Sequence, residues 1–172
     1  MLKIIHTIGQ LKFSELMYVY SEGNIDNGSE RYPYLSKESQ IREAEQDFYN
    51  YLNEVFFRTE GAFYALWEVD NTYMAALRME PFKDGWLLCA LETAPCKRRR
   101  GYATLLITSV LNYMSQHGKL KVYSHISKRN EPSIAAHLKC GFHVEYDYAV
   151  YSDGSVLHTS YTLVYDNKEG ET

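Results

Sequence analysis

The residues of this chain that are best suited to chemistry form a short basic loop, Arg98-Arg99-Arg100-Gly101-Tyr102-Ala103. The apolar run before it, residues 86–91, is bounded by Gly85 and Pro95, which predicts a buried strand. Apolar residues with the spacing of one helix face follow the loop, namely Ala103, Leu106, Ile107, Val110, Leu111 and Met114. The first N–H groups of a helix lack partners and lie at the positive end of its dipole, so they can bind phosphate. The loop therefore predicts a phosphorylated ligand.

The elements that must position this loop can be read from the remaining pattern. Strands are predicted at residues 2–8, 62–69, 72–79, 86–93, 120–126, 142–151 and 156–165. Helices are predicted at 13–20, from an N-cap at Ser39 to residue 55, after the basic loop, and at 130–140, with a polar loop at 25–37. Asp153-Gly154 predicts a hairpin turn between the last two strands. The order β-α-α-β-β-β-α-β-α-β-β predicts a mixed α/β sheet with helices on both faces.

Length and composition narrow the class of protein. The 172 residues are expected to form one domain over residues 1–166, with a charged, frayed tail at 167–172. A net charge of −4 argues against nucleic-acid binding, and no apolar run is long enough to cross a membrane. We see no signal peptide, and three cysteines cannot all pair, so reduced thiols in the cytoplasm are expected.

Three motifs on consecutive predicted elements resemble those of the GCN5-related N-acetyltransferase family. Arg98-x-x-Gly101-x-Ala103 is similar to that family's pyrophosphate loop, and Thr93-x-Pro95 is similar to the end of the strand before it. The segment from Asn130 to Gly141-Phe142 follows the family's pattern for its later helix. The resemblance covers residues 86–142. It implies a mostly antiparallel sheet of about seven strands and acetyl-CoA as the acyl donor, without a metal.

The resemblance also implies which residues hold the donor. Main-chain groups of Leu91, Glu92 and Thr93 would bind the pantetheine arm, which lies in this family between two splayed strands. Asn130 and Ser133 would lie on the far side of that arm. The pyrophosphate would be bound at the loop and the first helical turn, formed by Arg98, Arg99, Arg100, Gly101, Tyr102, Ala103 and Thr104. Arg99 and Arg100 are open to two interpretations, solvated side chains or contacts to the 3′-phosphate.

Acetyl transfer to an amine needs a base that deprotonates the amine and an acid that protonates the departing thiolate. We expect direct transfer in a ternary complex, because holding amine and thioester together supplies much of the acceleration. The family's acid is a tyrosine seven residues after the asparagine, where this chain has His137, a candidate for acid or base. Glu92 is the candidate base on the strand beside the thioester. The sequence leaves alternatives open: His125, or a water chain to Glu68 or Glu80, as base, and Tyr102 or Tyr146 as acid. Cys89, Cys96 and Cys140 show no activating base, which argues against an acyl-enzyme.

The acceptor is expected to be a primary amine of a small molecule or peptide, with Tyr32 and Tyr34 of the polar loop as candidate walls for a cation. The alternative function is a catalytically silent acyl-CoA-binding or sensing module, which the histidine at position 137 favours. The loop lacks the Gly-Lys-Ser/Thr of a P-loop and the spaced glycines of a dinucleotide fold. Edge strands of such sheets often pair, so a homodimer is one option that the sequence leaves open.

Overall fold

The computed structural model describes residues 1–116 and 118–167. The strands are β1 (Leu2–Ile5), β2 (Phe63–Val69), β3 (Thr72–Phe82), β4 (Gly85–Thr93), β5 (Lys121–Ser127), β6 (His143–Tyr146), β7 (Ala149–Val150), β8 (Val156–Leu157) and β9 (Ser160–Asp166). The helices are α1 (Phe13–Val19), α2 (Ser21–Arg31), α3 (Lys37–Glu54), α4 (Tyr102–Ser115) and α5 (Glu131–Lys139). Among the helices of these described residues, none has the length and apolar character to span a membrane.

Seven of the strands form one sheet in the order β1-β2-β3-β4-β5-β9-β6. All neighbours in it are antiparallel except β4 and β5, which run parallel. This arrangement confirms the predicted class, a mixed but mostly antiparallel sheet with helices on both faces.

Alternation along the central strands supplies a separate core to each face of the sheet. On β2, Phe63 and Ala65 join the core formed with α4, whereas Tyr64 and Leu66 join the core formed with α1 and α3. The predicted apolar stripe of α4 is buried at Leu106, Ile107, Val110, Leu111 and Met114. The sheet is therefore covered on both sides, and the ends of its strands are the places left for a site.

The segment predicted as a polar loop at 25–37 is largely helical, and that prediction was wrong. The helix α2 covers Ser21–Arg31 and includes two glycines, which lower helix propensity. Packing against α3 compensates, because Gly28 lies so close to α3 that a Cβ there would be 2.5 Å from the carbonyl oxygen of Gln40. The Gln40 side-chain amide also donates to the Tyr32 carbonyl (3.0 Å). Tertiary contact therefore outweighs local preference in this segment.

Other boundaries differ from the predicted ones by a few residues. The cap of α3 is Ser36, whose hydroxyl accepts from the Ser39 N–H at 3.3 Å, so the predicted cap at Ser39 was wrong. The strand predicted over 2–8 ends at Ile5, and β3 extends to Phe82. Asn167, expected to be frayed, donates its N–H to the Leu120 carbonyl (3.0 Å), and the rest of the predicted tail lies outside the described residues.

The two long C-terminal strands that the sequence predicts are each broken. Their outer parts, β6 and β9, pair in the main sheet, whereas β7 and β8 form a separate two-stranded ribbon. A register shift between Val144 and Tyr146 accompanies the break. The predicted turn is present, since the Gly154 N–H donates to the Tyr151 carbonyl (3.0 Å) and Asp153 accepts from the Ser155 N–H (2.9 Å).

The two glycines of α2 allow a direct test of its packing. Replacing Gly28 with alanine should destabilise the protein by about 1–3 kcal/mol, because the added methyl overpacks the α2–α3 contact. Replacing Gly23 is the matched control: a Cβ there meets nothing within 4 Å, so helix propensity alone should stabilise by about 0.5–1 kcal/mol. Urea unfolding measures both changes, and equal effects would contradict the proposed packing.

Candidate active site

The site is built around an irregularity in β4. Ala76 pairs with Glu92 and Arg78 pairs with Cys89, so two residues of β4, Ala90 and Leu91, lie opposite one residue of β3. This is a β-bulge, and Ala90 within it adopts a φ of +51°, which is uncommon for a residue with a side chain. The bulge bends β4 just before its carboxyl end.

Beyond its first residues β4 separates from β5. The parallel pairing comprises only Trp86 with Val122 and Leu87 with Tyr123. After that point β4 has no ladder partner on the β5 side within the described residues. Those main-chain groups of β4 that face this side and have no partner within the protein are available to an extended ligand, as the edge of a sheet is to an added strand.

A hydrogen-bonded pair of tyrosines holds the bulge. The Tyr20 hydroxyl donates to the Ala90 carbonyl at 2.6 Å and accepts from the Tyr64 hydroxyl at 3.0 Å. Burial raises the pKa of Tyr20 well above its ordinary value, so the hydroxyl stays protonated and remains a donor. The junction of α1 and α2 is thereby tied to the bulge.

Three adjoining cavities surround this end of β4. The first, which we call the cleft, has a volume of about 500 Å³ and lies between the end of β4, the basic loop and the start of α5. The second, the slot, has about 190 Å³ and lies between β4 and β5. The third, the aromatic pocket, has about 520 Å³ and lies between α2, α3 and the sheet. Cleft and slot share Leu91, Asn130 and Ser133, and slot and aromatic pocket share Ala90.

The cleft gathers most of the residues predicted to hold the donor. Ten of the twelve line it, namely Leu91, Glu92, Thr93, Arg98, Arg99, Gly101, Tyr102, Ala103, Asn130 and Ser133, whereas Arg100 and Thr104 do not. Asn130 caps α5, since its Oδ1 accepts from the Ser133 N–H (3.2 Å), and so fixes the far wall of the cleft.

The start of α4 has free donors, as the phosphate interpretation requires. The first intrahelical bond of α4 runs from the Leu105 N–H to the Gly101 carbonyl (2.9 Å), so Tyr102, Ala103 and Thr104 have no intrahelical acceptor. Gly101 adopts φ +81°, and a Cβ there would meet nothing within 4 Å. Open space, free N–H groups and a helix dipole fit a diphosphate at this position.

Arg98 and Glu92 are engaged with each other at the rim of the cleft. Arg98 donates to Glu92 Oε1 (3.1 Å) and to Glu22 Oε2 (2.7 Å). Glu92 Oε1 also accepts from the Thr93 N–H (3.2 Å). These contacts bridge α2 to β4 and occupy the carboxylate that the sequence proposes as base. Glu92 lines the cleft and His137 lines the slot, so the two predicted catalytic residues do not share a cavity.

His137 is buried on α5, with 1% of its surface exposed. Its Nδ1 is 2.8 Å from the Ser133 carbonyl oxygen, and because a carbonyl can only accept, Nδ1 carries the proton. The buried Nε2 has no hydrogen-bond partner among the described residues. Burial lowers the pKa of His137, with the bond to Ser133 acting in the opposite direction, so the ring is neutral and Nε2 is an acceptor.

His125 is the second imidazole that lines the slot. Its ring packs edge-on against Phe82 (5.6 Å between centroids) and Tyr151 (5.0 Å), and neither ring nitrogen has a partner in the described part of the chain. Burial lowers its pKa, and Lys83 adds to that shift. The slot thus has two neutral imidazoles in its walls.

Most of the remaining candidates lie away from the slot. Glu68 is held by Lys3 and Lys12, and Tyr146 is exposed and stacks on Tyr148. Tyr102 lines the cleft. Glu80 accepts a hydrogen bond from the Cys89 thiol at 3.4 Å.

The three cysteines are free thiols. Cys89 lines the slot, and burial raises the pKa of its thiol to about 12. A thiol with that pKa stays protonated, which disfavours it as a nucleophile.

Within residues 1–116 and 118–167, no group of three or more His, Cys, Asp or Glu side chains is arranged to hold a metal ion.

The residues predicted as acceptor walls lie outside the aromatic pocket. Tyr34 is 79% exposed, and Tyr32 donates to Asp47 (2.6 Å) from outside the cavity. The pocket is instead lined by other residues, including Tyr20, Phe48, Tyr51 and Arg78, and of these four sequence reasoning missed Arg78. One signal was available, because Arg78 interrupts the otherwise apolar run 73–79 of β3.

Comparison with known proteins places this fold in a class of acyltransferases. The chain matches the sequence profile of the acetyltransferase (GNAT) family over residues 25–142, well over half of its length. The chain therefore belongs to the GNAT family, whose general chemistry is acetyl transfer. It matches no curated protein sequence at a significant level.

Solved structures share the fold over nearly the whole chain. The PaiA N-acetyltransferase of Thermoplasma acidophilum, solved with coenzyme A, has a TM-score of 0.64 and 16% identity, covering 96% of this chain and 99% of that one. A chimeric spermidine N-acetyltransferase SpeG from Vibrio cholerae and hSSAT gives 0.59 and 16%, covering 96% and 95%. The ribosomal-protein-S18-alanine N-acetyltransferase of Escherichia coli gives 0.57 and 16%, covering 100% and 98%. Identities this low establish similarity of fold.

Two glycines with the same backbone conformation test the start of α4. Replacing Gly101 (φ +81°) with alanine should weaken coenzyme A binding about tenfold or more, because the backbone must shift and misplace the donors facing the diphosphate. Gly154 is the matched control, because it has φ +82° and open space around it. Replacing it with alanine should lower the free energy of unfolding by about 1–2 kcal/mol, as at Gly101, and leave coenzyme A affinity unaltered. Calorimetric titration measures both affinities, and equal losses of affinity would contradict this role of Gly101.

The buried histidine predicts a pH dependence of stability. Because the pKa of His137 is lower in the folded than in the unfolded chain, the unfolded chain binds more protons below about pH 6.5. The free energy of unfolding should therefore fall as pH decreases from 7.5 through 6.5 towards the folded pKa, by up to about 1.4 kcal/mol per pH unit for this group. His137→Gln should flatten that slope in urea titrations at several pH values, and an unchanged slope would contradict the assignment.

Proposed function

We propose that this protein is an acetyl-CoA-dependent N-acetyltransferase that transfers the acetyl group directly to a primary amine in a ternary complex. The observation that carries the proposal is that three cavities adjoin the bulge of β4 and share residues in their walls. The cleft holds the donor, the slot is the place of reaction, and the aromatic pocket holds the acceptor. The coenzyme A complex of the PaiA enzyme with the same fold supports the choice of donor.

Binding of the donor rests mainly on main-chain groups. The free N–H groups at the start of α4 face the diphosphate, and the unpaired edge of β4 from Leu91 to Thr93 binds the amides of the arm. The bound donor supplies an acetyl group as a thioester. Arg98 keeps α2 close to β4 through Glu22 and Glu92, and Arg99 lines the cleft as an added positive charge.

Proton transfer is proposed at Nε2 of His137. This atom has no hydrogen-bond partner in the described part of the chain and has a free lone pair, because the ring proton is held on Nδ1 by the Ser133 carbonyl. It can accept the proton that the acceptor amine loses, directly or through one water. Once protonated, Nε2 becomes a donor, so the roles of base and acid can alternate at one atom. His125, which lies on β5 and also lines the slot, is the alternative base.

Glu92 has a positioning role in this proposal. Its carboxylate is paired with Arg98 and lines the cleft, whereas the predicted role as base would require it beside the reacting amine. The proposal therefore assigns Glu92 to the geometry of the cleft rim and the proton transfer to the slot.

The function can be tested by thiol release from acetyl-CoA with a panel of amines, peptides and aminoglycosides. We expect amine-dependent turnover, and His137→Gln should lower kcat by about 10²–10⁴-fold while coenzyme A affinity is retained. His143→Gln is the matched control, because His143 is an exposed residue of β6, and it should leave kcat unchanged. The same measurement on His125→Gln tests the alternative base.

Two results would contradict the proposal. Coenzyme A binding without turnover of any amine would favour the silent acyl-CoA-binding module. Turnover that is equally fast in the His137 variant and the wild type would remove His137 from the proton transfer.

A further inference from the structure

Arg78 brings a charge to the interior of the aromatic pocket. It lies on β3 directly opposite Cys89, one residue before the bulge, and only 17% of its side chain is exposed. Its neighbours on β3 are apolar, with Leu77 and Met79 fully buried in the other core. Strand alternation therefore directs Arg78 to the face covered by α3, where it lines the pocket.

Two of the three guanidinium nitrogens of Arg78 lack the hydrogen bonds that a buried charge usually has. Nε and Nη1 are shielded from solvent and have no hydrogen-bond partner among the described residues. The nearest carboxylate oxygen in an ion pair, Glu80 Oε1, is 4.0 Å from Nη1, beyond hydrogen-bonding distance. A guanidinium in such surroundings costs free energy unless an anion or acceptor satisfies it.

Aromatic contacts hold the guanidinium in place, but they do not supply the acceptor that its N–H groups lack. Its central carbon is 5.1 Å from the ring centroid of Tyr51 and 5.5 Å from that of Phe56. Stacking of this kind fixes the plane of the group and leaves the N–H donors of Nε and Nη1 without an acceptor among the described residues, and a carboxylate is the acceptor that a guanidinium prefers.

The other charges of the pocket are already paired. Arg31 Nη1 is 2.9 Å from Asp47 Oδ2, and Asp47 also accepts from the Tyr32 hydroxyl. Asn24 and Asn27 add neutral polar groups, and the walls are otherwise aromatic or small. Within the described lining, Arg78 is thus the cation without a hydrogen-bonded anion, and the pocket suits a negative group beside an apolar body.

We infer that the acceptor is an amino-acid-like amine whose carboxylate pairs with Arg78 while its amine reaches the slot past Ala90. The inference rests on the proposed function, since it takes the aromatic pocket as the acceptor site. The volume of about 520 Å³ suits a small molecule of this class. The buried cation opposes polycationic amines, because a second positive charge beside Arg78 would be repelled at low dielectric.

The test compares acceptors that differ only in the carboxylate. One series consists of phenylalanine, phenylalaninamide and phenethylamine. A second series consists of lysine, lysinamide and cadaverine. Spermidine is included as a polycation. Wild-type kcat/KM should favour each free acid over its amide about tenfold or more, as a charge-assisted pair would. The amide has the lower amine pKa, so this preference cannot come from easier deprotonation of the amine.

Variants then connect the preference to Arg78. Arg78→Gln should reduce the acid-to-amide ratio to about threefold or less, and Arg78→Lys should restore part of it. Arg58→Gln is the matched control, because Arg58 lies in the short 3-10 turn after α3 and lines none of the three cavities. Coenzyme A affinity and the unfolding midpoint show which variants are folded. Thermal shifts by each acceptor in the presence of coenzyme A report binding without turnover.

The outcomes separate this inference from the proposed function. Turnover without preference for the acids, or a preference unchanged in Arg78→Gln, overturns the inference and leaves acetyl transfer standing. A thermal shift by the acids that Arg78→Gln abolishes, without any turnover, supports the inference and overturns the enzymatic function. The absence of both binding and turnover of the acids overturns the inference.

Discussion

The hydrogen bond from the Tyr20 hydroxyl to the Ala90 carbonyl is the contact on which the rest of the site depends. It holds a residue with a side chain at a positive φ, a conformation that persists only when its surroundings enforce it. The parallel pairing of β4 with β5 stops after two residue pairs, shortly before the bulge at Ala90. The cleft, the slot and the aromatic pocket all adjoin this end of β4.

The same hydrogen bond connects the aromatic pocket with the end of β4 that borders the cleft. Tyr20 lies between α1 and α2, and it is also a wall of the aromatic pocket. The ion pairs of Arg98 with Glu22 and Glu92 make a second connection between α2 and the end of β4. The helical segment over the pocket is thus attached to the strand beside the cleft at two points, so the aromatic pocket and the cleft are held in one geometry.

Charge is distributed unevenly among the cavities. The cleft has arginines and free N–H donors for an anionic donor, and the slot has two imidazoles that burial keeps neutral. The aromatic pocket contains the buried guanidinium of Arg78, which has no hydrogen-bonded anion among the residues that the structure describes. A neutral slot between two positive regions suits the approach of an uncharged amine, since only that form can attack an acyl group.

Local pattern made much of the fold and the donor side predictable. The stripe of α4, Gly101 at its start, the cap at Asn130 and the turn at Gly154 depend on neighbours within a few residues. The same reasoning missed α2, because the contact of Gly28 with α3 is tertiary. It also proposed Tyr32 and Tyr34 for the acceptor, since composition alone does not show whether a loop tyrosine faces a cavity or solvent.

The sequence by itself therefore determined the class of sheet and the basic loop before a helix, because periodicity and backbone preference are local properties. The other candidate residues of the cleft came from the resemblance to a known family. Only the tertiary structure decided which side chains share a cavity. It paired Glu92 with Arg98, placed His137 in the slot with a free Nε2, and buried Arg78 beneath α3. The physical reason is that strand register, the bulge and burial arise from contacts between residues far apart in the chain.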